Sequence, residues 1–193
     1  MDKRKVHLFL FDGFSDWEPS YVIPEINMSE ELQCETFALS DSPVKSQGGL
    51  TVVPDKSINA VDVENSAMLI LPGGDKWEKR GMREIMPLIF EYKKRELPIA
   101  AICGATVFLA DIGLLDTVKH TSNGLFYLKM FAPNYKGERN YEDQLAVTYE
   151  NFITANGTAP IEFAREIFIT LGIYDNLKLE NWYQLYKNGI WAE

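Results

Sequence analysis

Three short apolar runs, each stopped by a turn of small residues, constrain this chain more than any other feature. Val6-His7-Leu8-Phe9-Leu10-Phe11 is broken only by its histidine and closes on Asp12-Gly13. Ala67-Met68-Leu69-Ile70-Leu71 closes on Pro72-Gly73-Gly74, and Pro98-Ile99-Ala100-Ala101-Ile102 runs straight into Cys103-Gly104-Ala105. Strands buried on both faces of a parallel sheet read this way, because neither face needs an alternating polar residue. Between the runs the period becomes helical, predicting helices over 16–32, 82–95, 105–110, 125–131 and 159–171. Further strands are expected over 34–39, 50–53 and 118–121, with a hairpin across 145–149 and 151–154. The alternation implies an α/β fold: a doubly wound, mostly parallel sheet with helices on both faces, a three-layer sandwich.

A length of 193 residues suits one domain, 1–193, whose last segment, 175–193, reads as a helical extension. Its apolar positions, Leu177, Leu179, Trp182, Leu185, Tyr186, Ile190 and Trp191, recur at helical spacing, for packing on the core or for a subunit contact. The net charge of −9, from 28 acidic and 19 basic residues, argues against nucleic acid or an anionic membrane as partner. No apolar run approaches the roughly 18–20 residues that span a bilayer, and the acidic turn at Asp12–Glu18 does not suit a signal peptide, so a cytoplasmic protein is expected. Two cysteines, Cys34 and Cys103, make no disulfide framework, and two histidines, His7 and His120, make no metal cluster; neither metal nor cofactor is expected.

In a doubly wound sheet the site lies outside the carboxyl ends of the strands, so three turns converge as candidates: 13–18, 72–77 and 103–105. At the third, a thiol stands between a buried strand and a helix start. The helix N-terminus favours negative charge there, which predicts a lowered thiol pKa, and the Gly104 amide would face an oxyanion beside the sulfur. The plain alternative is packing, the usual occupation of a free cysteine and the one expected of Cys34. Glu18 likewise has two readings. Ser15-x-x-Glu18 with Pro19 fits a capping box at a helix start, yet the same carboxyl could reach Cys103 over the sheet edge. Gly73 and Gly74 could be only a turn, or could offer amides to an anion. Trp17 and Trp77 are candidate pocket walls.

Taken together, the segments D-G-F-S-D-W-E (12–18) with V-I-P (22–24), L-I-L-P-G-G (69–74), P-I-A-A-I-C-G-A (98–105), L-A-D-I-G-L-L-D (109–116) and A-N-G-T-A (155–159) resemble the ThiJ/PfpI family. The resemblance runs in order from about Lys5 to Gly172. It implies the class I glutamine-amidotransferase-like fold, shared by PfpI-type intracellular proteases, glyoxalase III and deglycase-type enzymes, and the redox-responsive protein linked to inherited parkinsonism. By position it implies that Cys103 is the elbow cysteine. Glu18 would be its carboxyl partner, usually protonated and bonded to the sulfur, and the amides of Gly74 and Gly104 the oxyanion donors. It also implies a homodimer.

Two elements of the family pattern are replaced. Where its hydrolases carry a histidine after the strand that follows the elbow helix, this chain has Asn123, and where the protease-like members have Cys-His it has Cys103-Gly104. Asparagine cannot take a proton, though it can bond sulfur or substrate. His120, three residues back, would lie about 10 Å away on an extended strand, on the opposite face. The leading expectation is a cysteine-dependent hydrolase, amidase or glyoxalase-type enzyme on small carbonyl or acyl compounds. The alternatives are an oxidation-responsive or chaperone-like protein, and a module that binds a small ligand without chemistry.

Overall fold

The computed structural model describes residues 2–79 and 81–191. Ala192 and Glu193, the end of the expected extension, lie outside the described residues. Strand β1 (Arg4–Phe9) pairs in parallel with β2 (Leu32–Ala38) on one side and β6 (Ser66–Leu71) on the other, with Phe9 opposite Phe37 and Leu8 opposite Ile70. Beyond β6 lie β7 (Ile99–Ile102), β9 (Phe152–Ala155) and the antiparallel β8 (Ala146–Tyr149). A two-residue strand, β5 (Lys56–Ser57), completes the far edge, giving the order β5-β2-β1-β6-β7-β9-β8. The chain winds outward from β1 in both directions, so the order reverses between β1 and β6. That reversal opens a crevice at their carboxyl ends, one strand away from the end of β7.

Among the described residues six α-helices accompany the sheet: α1 (Val22–Met28), α2 (Met86–Lys94), α3 (Gly104–Asp111), α4 (Leu125–Phe131), α5 (Pro160–Leu171) and α6 (Asn176–Asn188). The core is apolar and closed, with Phe9, Phe37, Leu69, Trp77, Phe163 and Phe168 fully buried. Two-sided burial is clearest in β6 and β7, where every residue is buried, as their unbroken apolar runs predict.

The expected helix over 16–32 shrinks to α1, because the segment before it is held by remote partners. Asp16 Oδ1 accepts from the Gly48 amide at 2.8 Å, Ser15 N donates to Gly73 O, and Ser15 Oγ donates to Gln47 Oε1 at 3.0 Å. No capping box forms. Residues 50–53 contribute β4 (Thr51–Val52), which pairs only with β3 (Val44–Lys45) in a separate ribbon whose tip clasps that segment. The strand expected over 118–121 is reduced to a single bridge, His120 to Tyr141, since Thr121 N is taken by the Thr154 side chain.

The C-terminal segment starts on an Asp175 cap that accepts from Lys178 N at 2.9 Å and ends on left-handed Gly189. Leu179 and Trp182 pack inward, and Trp182 Nε1 and the Tyr174 hydroxyl both donate to buried Glu25. Leu177, Ile190 and Trp191 remain exposed.

Candidate active site

Cys103 joins β7 to α3 with φ 58° and ψ −126°, a backbone that a side chain with a Cβ adopts only under strain. The strain is held from below. Cys103 N donates to Ala155 O at 3.0 Å, while Thr106 N and Thr106 Oγ1 donate to Cys103 O at 3.1 and 2.6 Å. Ser122, paired with Thr106 Oγ1 at 2.6 Å, ties this knot to the segment before α4. A sharp strand-to-helix turn of this kind is a nucleophile elbow, and it lifts the sulfur clear of the sheet.

Glu18 arrives from the loop after β1 with no exposed surface. The Gly73 amide donates to its Oε2 at 2.5 Å. Its Oε1 is buried without an N–H donor, and the Cys103 side chain is the group within hydrogen-bond reach of the carboxyl. Burial raises Glu18 to about 7, against the opposing pull of the Gly73 amide and the Cys103 thiol. Contrary to the expectation from the helix N-terminus, Cys103 is pushed up, to about 11. Burial is the larger cause and the Glu18 charge the next, together outweighing the Asn123 amide and the Gly104 N–H, which favour the thiolate. The Glu18 charge thus helps to keep the thiol protonated.

Asn123 reaches the sulfur as its position implied. Its Nδ2 donates to Cys103 Sγ at 3.3 Å, and its Oδ1 accepts from Gly157 N at 2.8 Å, so the amino group faces the thiol. Glycines let these parts close up. A Cβ on Gly73 would stand 2.7 Å from Cys103 Cβ and 2.8 Å from both Glu18 oxygens. A Cβ on Gly157 would stand 2.8 Å from Cys103 Sγ. The Gly104 amide bonds toward its neighbouring sulfur, and the Gly74 amide has no hydrogen-bond partner among the described residues.

The tryptophans divide. Trp17 is half exposed beside the Glu18 loop, whereas Trp77 is buried beneath the elbow and faces a cavity with Met86, Val107 and Phe108. It is sealed in the core against Phe9, Phe11 and Phe108, its Nε1 donates to Pro72 O at 2.7 Å, and its ring underlies Gly104. His120 stays away from the sulfur: it is buried, with Nδ1 bonded to Val118 O and Nε2 to the Tyr135 hydroxyl, both at 2.7 Å. His7 lies within β1 in a row with Ser66 and Glu35 that has the composition of a hydrolase triad, but Ser66 is sealed within the fold. Cys34 is half-buried against the core and its thiol is pushed up to about 12, chiefly by desolvation, which leaves it inert. Among the described residues no group of three His, Cys, Asp or Glu side chains could hold a metal ion.

Sequence reasoning missed three members. Gly157 stood out only as part of a turn, although it walls the sulfur. Tyr127, on α4, and Glu78, beyond the glycine turn after β6, meet through a 2.5 Å hydrogen bond, and Tyr127 is also within reach of Asn123. Their separation along the chain hid the pairing.

Known proteins match this chain over most of its length. The uncharacterized protease YoaZ of Bacillus subtilis (strain 168) is 40% identical over 194 residues, 97% of this chain and 92% of that protein. The crystal structure of the thiJ/pfpI family protein from Bacillus anthracis superposes with a TM-score of 0.92 at 40% identity, covering 98% of this chain and 93% of the other. A DJ-1 superfamily protein from Agrobacterium tumefaciens gives 0.88 at 33% identity, covering 96% and 98%. The model of the DJ-1/PfpI family matches residues 4–169, from the first strand of the sheet to near the end of α5. The agreement thus spans every turn that meets at Cys103, and the chain belongs to the DJ-1/PfpI family.

Proposed function

We propose that this chain is a cysteine-dependent hydrolase, amidase or glyoxalase-type enzyme acting on small carbonyl or acyl compounds, with Cys103 as nucleophile and Glu18 as its proton carrier. One observation carries the reading: a strained elbow cysteine faces a buried carboxyl that titrates near neutrality. Cys103 Sγ attacks the carbonyl carbon while its proton passes to Glu18. The negative oxygen meets the Gly104 and Gly74 amides, and Glu18 then returns the proton to the leaving amine or alkoxide. A carboxyl near 7 suits both directions of transfer at neutral pH. The description of YoaZ as a protease supports the amide-cleaving arm.

The oxidation-responsive alternative has less support, because peroxide acts on a thiolate and the Cys103 thiol is raised to about 11. Proton removal during attack requires no standing thiolate. The cytoplasmic setting and the homodimer belong to the same proposal. Light scattering tests that pairing.

The test of the activity compares wild type with Cys103→Ala on methylglyoxal and on p-nitrophenyl acetate. Consumption of either that vanishes in the variant supports the reading, and equal turnover in the variant overturns it. Stoichiometric oxidation of Cys103 by mild peroxide without turnover of either compound would favour the redox alternative.

A further inference from the structure

The proposed chemistry leaves one step without a base. Once Cys103 carries an acyl group, water must attack it, and something must take the water's proton. Glu18 is kept from bulk water: it has no exposed surface, its Oε2 is tied to the Gly73 amide, and its other oxygen is taken up by the exchange with the thiol and the leaving group. Water can approach from the exposed side, where Asn123 stands, and asparagine accepts no proton.

On that open side lies a second carboxylate that the first half-reaction does not use. Tyr127 donates its hydroxyl proton to Glu78 Oε1 at 2.5 Å, and the phenol oxygen is within hydrogen-bond reach of Asn123, whose Nδ2 contacts Cys103 Sγ at 3.3 Å. A chain of contacts therefore runs Cys103, Asn123, Tyr127, Glu78 from the sulfur outward. The two carboxylates differ in setting, one sealed and one half-buried.

We infer that Glu78, acting through Tyr127, is the base of the water-consuming half-reaction, in the role left open at Asn123. This rests on the hydrolase reading above. The water oxygen bonds to the acyl carbon, its proton moves to the Tyr127 oxygen, and the Tyr127 proton passes to Glu78. Collapse of the tetrahedral adduct breaks the C–S bond and releases the carboxylic acid. The proton on Glu78 returns through Tyr127 and solvent to the Cys103–Glu18 pair, which restores the starting state. Tyr127 touches the reacting water, and Glu78 positions and drains it.

The experiment follows acetylation and deacetylation of Cys103 separately, by intact mass and p-nitrophenol release, in the full-length protein with p-nitrophenyl acetate. Wild type should acetylate and then turn over. Tyr127→Phe and Glu78→Gln should acetylate at the wild-type rate but accumulate the acetyl-enzyme, with deacetylation slowed roughly 100-fold. Deacetylation at the wild-type rate in both variants overturns the relay and leaves the Cys103–Glu18 reading standing. Slowed acetylation with normal deacetylation also overturns it, by assigning these groups to the first step. Absence of any acetyl-Cys103 in wild type overturns the hydrolase reading itself, and the relay with it.

Discussion

The Gly73 amide and the Glu18 carboxyl, 2.5 Å apart, are joined across the point where the strand order reverses, and that contact decides which oxygen is left for the thiol. With Oε2 held by the turn after β6, Oε1 remains as the unpartnered atom beside Cys103. A side chain at residue 73 would collide with both groups at once. The glycine turn is thus part of the proton-carrying apparatus as well as a chain reversal.

Glu18→Gln should therefore uncouple stability from pH in a defined window. Burial raises the folded-state Glu18 to about 7 from its ordinary 4.5. A raised carboxyl contributes stability that is fully present below 4.5 and is lost as pH rises through 7, so wild type should weaken across that interval and level off above it. The loss is on the order of 3 kcal/mol. Urea unfolding at pH 5 and pH 8 checks it: the variant should match wild type closely at pH 5 and exceed it at pH 8. A wild type that gains stability over that range relative to the variant would contradict the assigned environment.

The same substitution should lower the thiol. The Glu18 charge is the second cause of the Cys103 rise, after burial, so a neutral amide there removes one upward push and leaves the Asn123 and Gly104 donors in place. Alkylation of Cys103 by iodoacetamide should move to lower pH in Glu18→Gln. Turnover of p-nitrophenyl acetate should nevertheless fall by roughly 100-fold, because the proton carrier is gone. A more reactive thiol in a slower enzyme is the signature expected.

Much of this was legible in the sequence, and the failures share one cause. Apolar runs announced β1, β6 and β7, and the small residues closing them announced the turns that meet at the site. Asn123 was found at the sulfur because a position along the chain carried it there. What failed depended on partners far off in sequence. Ser15 looked like a helix cap, but its hydroxyl goes to Gln47, 32 residues on. The Cys103 thiol was expected to fall because the local helix end was visible, whereas the burial and the carboxylate that win are supplied by other segments. Glu78 and Tyr127 are 49 residues apart and neither lies in a motif.

Gly157→Ala tests how closely the sulfur is walled. Its added methyl would stand 2.8 Å from Cys103 Sγ, 2.9 Å from Cys103 Cβ and 3.3 Å from Asn123 Oδ1. Something must shift, and overpacking of this kind costs about 1–3 kcal/mol. Displacing Asn123 would also break its contacts with Gly157 N and Sγ. Both the melting temperature and the rate of Cys103 alkylation should fall, whereas alanine at Gly172, where a Cβ meets nothing within 4 Å, should leave alkylation unchanged and cost only left-handed backbone strain.

The buried row in β1 predicts the acid side of the stability curve. His7 Nδ1 lies 2.6 Å from the Tyr92 hydroxyl and 3.1 Å from Ser66 Oγ, and its Nε2 lies 3.2 Å from Glu35 Oε2. Neutral imidazole satisfies this set, with Nε2–H donating to the carboxylate and Nδ1 accepting from the phenol. Burial lowers His7, more than Glu35 raises it. A base lowered on folding gives stability that is present above its unfolded value of 6.5 and is lost as pH falls below it, because the unfolded chain takes up the proton first. Wild type should therefore lose stability below pH 6.5 at this residue, opposite in sign to Glu18. Tyr92→Phe removes the hydroxyl that serves both His7 and Ser66, and at pH 7 should cost about 1–3 kcal/mol. Without that donor Nδ1 is freer to take a proton, so the acid-side loss should be shallower in the variant. Urea midpoints at pH 5 and pH 7 decide it: a steeper acid-side loss in Tyr92→Phe than in wild type would show that His7 is not held neutral by this row.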